Sequence, residues 1–320
     1  MVWNYIRITG RFTIEVSVLT GSDTIGNYNT HATAKIVISD KNGSYKSYEV
    51  PVITGNMLKH WHAVYLAKTY EALGGQQLNE LCKKGIGLRG YKLEKEKMEY
   101  ADSESDAIKD LCNDIHGFLI PDKQLKRDSL VKFSFGIPIL NEKVLENVSR
   151  FTTLHNRVDP VRRENTEMMI FKQEYSTAPL YGFAITMDLA YVMTPIYEIT
   201  QNKNQQQEKT DEEEKNRRKK AAVLALLYMF NGVGSKQARA LPIIDVKELL
   251  IAVSNVPIPN LVNGAYEDYI DKSLQIIEAF KKIIGNDRVK LYGYGIDKKY
   301  CNKIECKDSL DELFDIIINT

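Results

Sequence analysis

The sequence predicts an α+β fold: an antiparallel sheet with helices packed on one face, interrupted by long insertions. Three observations point there. Strict apolar–polar alternation, the mark of a half-buried strand, runs through the first twenty residues and returns in SLVKFSFGIP and LYGFAITMDLAYV. Apolar stripes at helical spacing separate such runs, from about Thr54 to Ala72 and in AAVLALLYMF and YIDKSLQIIEAFKKII. The order strand, hairpin, helix, strands, helix and strand is compatible with a ferredoxin-like core.

In the first strand Ile6, Ile8, Phe12, Ile14, Val16 and Val18 share one parity, and Arg7, Thr9, Arg11, Thr13, Glu15 and Ser17 form a polar second face. The polar stretch TGSDTIGNYNTHA reads as a loop outside the core, long enough to be functional. ATAKIVIS and SYEVPVI, joined through DKNG with its Asn-Gly pair, predict a hairpin. Thr54 is the expected N-cap of the next helix. Met57, Leu58, Trp61 and Val64 form its apolar stripe, leaving Asn56, Lys59 and His60 near the start on another face. From Gly74 to about Asn113 the chain is charged and tyrosine-containing without a core signal, an excursion from the main fold. SLVKFSFGIP follows as a strand. Residues 151 to 176 read as two extended arms around a basic tip carrying Arg157, Arg162 and Arg163, with Met168, Met169, Ile170 and Phe171 on the return arm. The tract 200–220 is low in complexity and reads as a flexible, solvated linker becoming helix, with Glu213–Arg217 and Glu214–Arg218 at i,i+4 spacing. A helix, the strand RVKLYGYGI and the amphipathic helix SLDELFDIII close the chain.

Composition narrows the function. Across 320 residues, 43% hydrophobic and 27% charged content are those of a globular protein, and a net charge of +1 gives no global field toward nucleic acid. Any basic surface must be local. Cys82, Cys112, Cys301 and Cys306 show no C-x-x-C spacing and no paired framework, which fits a reducing interior. MVWNYIRITG is neither a signal nor a transit peptide, and no apolar run reaches the roughly 18 residues of a membrane span. A soluble, cytoplasmic protein without a membrane partner is expected.

The stretch FNGVGSKQARALP raises the question of phosphate binding. It is not a P-loop, because Ser235 precedes Lys236, no second glycine stands at the required distance, and a helix with Asn231 and Gly232 as its C-terminal stop leads into it while a strand leaves it. What remains is a glycine turn carrying Lys236 and Arg239: either a surface loop whose glycines serve its backbone or a cradle for polynucleotide phosphates. No metal or other cofactor is expected. His60 and His62, two positions apart on a helix, point roughly 200° apart. Asp114 and His116 share a side if DIHGFLIP is extended, although such a pair is more often structural. Hydrolysis by metal ions needs clustered carboxylates, and Asp23, Asp114 and Asp159 are isolated in sequence.

Several segments together resemble one family: VPVITGNMLKHWH; DIHGFLIP with RDSLVKFSFGIP; LHNRVDPVRRENTEMMIFKQEYSTAPLYGFAITMDL; and NGVGSKQARALP with PIPNLVNGAYEDYI. In order and over nearly the whole chain, they are similar to the CRISPR-associated DevR family, the repeated backbone subunit of the archaeal type I-A surveillance complex, Cascade. The resemblance implies a modified RNA-recognition fold as a single palm domain over 1–320, with a finger-like insertion at 64–113 and a thumb at 151–176. It implies a non-catalytic subunit that stacks with further copies of itself into a helical filament along the CRISPR RNA and presents it to target DNA. Other partners would be the handle-capping, large, small and helicase-nuclease subunits. The RNA-facing positions map to Asn56, Lys59 and His60; to His155, Asn156 and Arg157; and to Gly232, Gly234, Ser235, Lys236 and Arg239. Met168, Met169 and Phe171 would displace bases from the thumb. No K/R-G-F/Y-G/A-F-V-x-F/Y segment is present, so recognition of backbone and shape is implied. The alternative is a metal-dependent ribonuclease subunit of an RNA-targeting CRISPR complex, for which Asp23, in the loop after the first strand, is the relevant position. Transcriptional autoregulation, the sense of the family name, would need a dimeric major-groove reader, and no helix-turn-helix signal is visible.

Overall fold

A computed structural model describes residues 2–17, 21–25, 28–39, 42–93, 98–157, 169–198, 208–232 and 243–319. The strands are β1 (Tyr5–Ser17), β2 (Gly21–Ile25), β3 (Tyr28–His31), β4 (Thr33–Ser39), β5 (Tyr45–Pro51), β6 (Phe118–Ile120), β7 (Leu125–Arg127), β8 (Val131–Phe133), β9 (Ile137–Pro138), β10 (Ser149–Arg157), β11 (Met169–Asp188), β12 (Ile243–Ser254), β13 (Val289–Tyr294) and β14 (Glu305–Lys307). The helices are α1 (Gly55–Ala72), α2 (Glu80–Lys83), α3 (Glu104–Ala107), α4 (Leu111–His116), α5 (Glu142–Glu146), α6 (Glu208–Asn231), α7 (Tyr269–Ile284) and α8 (Leu310–Asn319). Among the described residues no helix is long and apolar enough to cross a membrane.

The main sheet runs β14-β13-β12-β1-β11-β3-β2, with β8, β9 and β10 also paired to β11. Its centre is antiparallel, as expected, but β13 with β14 and β11 with β3 are parallel. The fold is α+β with a mixed sheet. Alternation tells which way a strand's side chains face, not the direction of the strand beside it.

Helices cover both faces, which corrects the expectation of one. Leu249, Ile251 and Val253 of β12 pack with α1, α6 and α8, while Leu250 and Ala252 pack with α7. The unbroken LLIAV run is that of a strand buried on both sides. The polar face of β1 is also covered. Thr9 Oγ1 lies 2.8 Å from the Val262 carbonyl, and Arg11 Nε donates to the Gly264 carbonyl at 2.9 Å with its guanidinium 4.7 Å from the Tyr269 ring centre. Gly264 is required there, because a Cβ would stand 2.1 Å from the Gly10 carbonyl oxygen.

Other expectations need revision. TGSDTIGNYNTHA contains the β2–β3 hairpin, which joins the main sheet at Lys172 and Gln173. SLVKFSFGIP is two short pieces, β8 and β9, each paired to β11. DIHG is the end of α4, not extended chain. The stripe of α1 is set by Leu58, Ala63, Leu66, Ala67 and Tyr70, with Met57, Trp61 and Val64 only half-buried. Residues 74–113 do carry core: Leu78, Cys82, Leu111 and Cys112 belong to the main cluster. The tract 200–220 is helical from Glu208, and Arg218 within it is fully buried. All four cysteines are paired, Cys82 with Cys112 and Cys301 with Cys306, at Cα separations of 5.8 and 5.5 Å, although their spacing shows no framework. The first pair meets because α2 and α4 both pack on α1, a proximity that linear spacing does not encode.

Candidate nucleic-acid interface

Thr54 caps α1 by accepting from the Met57 amide at 3.3 Å, as its sequence position suggests. Gly55 starts the helix against β8, where a Cβ would lie 2.5 Å from the Phe133 carbonyl oxygen. That close approach fixes where the first turn points. Asn56 is exposed, and Lys59 and His60 are half-buried. At about 100° per residue the three lie within an arc of about 100°. Burial, reinforced by the positive charges of Arg89 and Lys132, pulls the Lys59 ammonium down to about 8.

His62 faces inward. Its Nε2 lies 2.9 Å from the Ala222 carbonyl, and its Nδ1 lies 2.9 Å from His116 Nε2. A carbonyl only accepts, so His62 Nε2 carries the hydrogen and Nδ1 accepts from His116. His116 Nδ1 is then an acceptor, and it is buried without a hydrogen-bond partner. Burial is the first cause that lowers both rings, His62 to about 4 and His116 well below its ordinary value, so both are neutral.

The glycine turn begins beside α1. The Tyr65 hydroxyl donates to the Gly232 carbonyl at 2.7 Å, and the Tyr65 ring stacks on Tyr228 with centres 5.7 Å apart. α6 ends at Asn231, as FNGVG suggests, and β12 resumes at Ile243 opposite Glu15 of β1. Gly234, Ser235, Lys236 and Arg239 lie outside the described residues.

The arms of the 151–176 segment are β10 and the start of β11, in antiparallel register. His155 pairs with Phe171, Asn156 with Ile170 and Arg157 with Met169, so the His-Asn-Arg segment and the apolar return arm face each other across the ladder. Met168 and the tip lie outside the described residues. At the base Phe151 stacks on Tyr175 at 5.5 Å, and Glu174 accepts from the His31 amide at 2.9 Å. The structure thus brings the start of the glycine turn to α1. The arms extend from β11 beyond its pairing with β8, with Phe171 more than a dozen residues along the strand from Ile185.

The carboxylates separate by environment. Asp114 is buried between two guanidiniums, Arg127 Nη2 and Arg218 Nη1, each at 2.7 Å. It is a structural bridge, and Glu104, Arg127 and Arg218 are partners that sequence reasoning missed. Asp23 lies in β2 opposite Thr30, and Asp159 is outside the described residues. Among the described residues no group of three His, Cys, Asp or Glu side chains is placed to hold a metal.

Residues 8–274 match the family described as CRISPR-associated negative auto-regulator DevR/Csa2. The chain is 53% identical to a CRISPR-associated protein Cas7/Cst2/DevR of Thermoproteus tenax, over 97% of this chain and 93% of that one. It is 32% identical to a protein of the same description from Methanocaldococcus jannaschii, over 98% and 99%. A solved chain of a CRISPR RNA-guided surveillance complex superposes with a TM-score of 0.47 at 14% identity, covering 98% of each chain. The chain belongs to the DevR/Csa2 family of CRISPR-associated proteins.

Proposed function

We propose that this chain is a backbone subunit of a CRISPR surveillance complex of type I-A, binding CRISPR RNA without cleaving it and repeating along the guide so that target DNA can pair with it. The observation that carries this reading is the Tyr65–Gly232 hydrogen bond. It anchors the entrance of the glycine turn to the helix whose first two turns carry Asn56, Lys59 and His60, which supports a reading in which backbone amides and cations from two separate segments serve one polynucleotide track. Stacked copies would bring the β10–β11 arms of one subunit onto the track of the next. RNA is then held through its backbone, with sequence left to base pairing.

Electron microscopy of the purified chain mixed with CRISPR RNA tests this. Regular filaments whose length follows the RNA are expected, with the RNA intact in Mg²⁺ or Mn²⁺. Dispersed particles at RNA excess would sink the filament role. Cleavage abolished by Asp23→Ala would move the protein to the ribonuclease class.

A further inference from the structure

A different flank of α1 from the one that meets Gly232 borders an open pocket of about 590 Å³, walled by the 87–91 segment, the end of α4, and β6 and β7. Lys59, Arg89 and Lys126 line it. Arg89 and Lys132 are the charges that bear on Lys59. The carboxylate in the lining, Asp128, is engaged by the Tyr197 hydroxyl at 2.9 Å, and Arg127 is neutralised by Asp114 and Glu104. The rim is apolar: Leu88 and Leu119 are 58% and 66% exposed, and the rings of Tyr91 and Tyr100 stack at 4.4 Å. His116, 1% exposed, also lines the pocket, and its Nδ1 is the acceptor that no donor satisfies.

Arg89 feels the Asp110 carboxylate, but burial still outweighs it, and cations withdrawn from water beside one another favour the arrival of a further anion. An ammonium and a guanidinium together suit phosphate oxygens, and a tyrosine and leucine rim suits the face of a base. An acidic side chain would meet the charge but offers no flat apolar face to the tyrosine and leucine rim. A nucleotide supplies the anion, the flat apolar face and an N–H or O–H donor.

We propose that this pocket is a second nucleic-acid subsite, holding one nucleotide of a single strand with its phosphate on Lys59 and Arg89 and its base or ribose toward His116, Leu119 and Tyr100. The proposal rests on the nucleic-acid reading above and extends the track across α1. The strand is either RNA or DNA, and the phosphodiester is common to both.

Binding of labelled single-stranded RNA and DNA of one sequence to the full chain, followed by fluorescence anisotropy over a salt series, tests it. For the strand that occupies the pocket, Arg89→Ala should weaken binding about tenfold and lower the log–log salt slope by about 0.7. Arg89→Lys should restore the slope. Leu119→Ala, at a side chain too exposed to unfold the chain, should weaken binding without changing the slope. Whichever strand shows these effects is the source. If Arg89→Ala and Leu119→Ala both bind like the parent while Lys236→Ala with Arg239→Ala binds more weakly, the subsite is wrong and the broader reading stands. A parent chain that binds neither strand overturns both, as does a polyglutamate peptide that binds through Arg89 when neither strand does.

Discussion

Arg218 of α6 and Asp114 of α4 lie 2.7 Å apart, and neither side chain is exposed to solvent. The other oxygen of Asp114 meets Arg127 at 2.7 Å, Arg127 meets Glu104 at 2.8 Å, and Arg218 meets Glu214 at 3.0 Å. Charges alternate along this row of five, which fastens the 74–127 region to the long helix before the glycine turn. Remaining donors are used as well: Arg218 donates to the Ile108 and Lys109 carbonyls, and Arg127 to those of Asp114, Tyr191 and Thr194. A buried ion pair is stable only when its hydrogen bonds are complete, and here they are.

Asp114→Ala should therefore be severe. It leaves two buried guanidiniums facing each other, and a loss of about 3–5 kcal/mol is expected in urea denaturation. Nuclease or metal-dependent behaviour should not change. A loss below about 1 kcal/mol would contradict a row of buried charges that depends on Asp114.

The buried histidines predispose the fold to acid. His62 titrates near 4 in the fold against 6.5 in the unfolded chain, and His116 is held well below its ordinary value, both first by burial; His31 is lowered in the same direction. Between pH 6.5 and 4 the unfolded chain binds protons that the fold refuses, so stability falls as pH falls. Asp110, pushed up to about 6 by burial, acts in the opposite sense below that pH and offsets part of the effect. A net slope on the order of 1.4 kcal/mol per pH unit is expected from urea melts across that window. Replacing His116 with Gln should flatten it. A flat or inverted slope in the parent would contradict the neutral His62–His116 pair.

Lys236→Ala with Arg239→Ala tests the glycine turn. Both residues follow the Gly232 anchor, and each is expected to bind a phosphate. Affinity should drop about equally for unrelated RNA sequences, and the log–log salt slope should fall by about 0.7 for each phosphate that the variant leaves unneutralised. Parental affinity and slope would mean that the turn serves only its own backbone.

The elements that can be read from sequence are those whose signal is local. β1, α7 and α8 carry their period in a single run, β12 carries an unbroken apolar run, Thr54 announces the cap of α1, and Asn231–Gly232 announces the end of α6. What cannot be read depends on partners distant in the chain. Glu214 and Arg218 at i,i+4 look solvated until Asp114, far upstream, is placed beside them. Leu78 and Leu111 are core residues scattered among charges, so no periodicity marks them. Cys82 and Cys112 are 30 positions apart and meet only once α2 and α4 pack on α1. The same limit applies to the site. Lys59 is visible as a cation at a helix start, whereas Arg89 comes from an insertion whose course sequence does not reveal, and His116 from a segment that reads as extended chain and is the end of α4.

The arms at 149–157 and 169–177 carry the last expectation. Their register sets Arg157 opposite Met169 and His155 opposite Phe171, so the polar segment and the apolar arm arrive together at the tip. The base is anchored by Glu174 on the His31 amide and by Phe151 on Tyr175, which makes the ladder below the tip independent of what the tip does. Met168, Met169 and Phe171 are expected to enter between bases, where unstacking costs a few kcal/mol per step and must be offset by binding to the neighbouring copy. Removing 159–167 and closing the hairpin should then leave a folded monomer, with denaturation unchanged and weak binding to short RNA retained. Cooperative assembly on long RNA should fail. Filaments unchanged by the deletion would remove the thumb role from this hairpin, and an unfolded product would show that the apolar arm belongs to the subunit's own core.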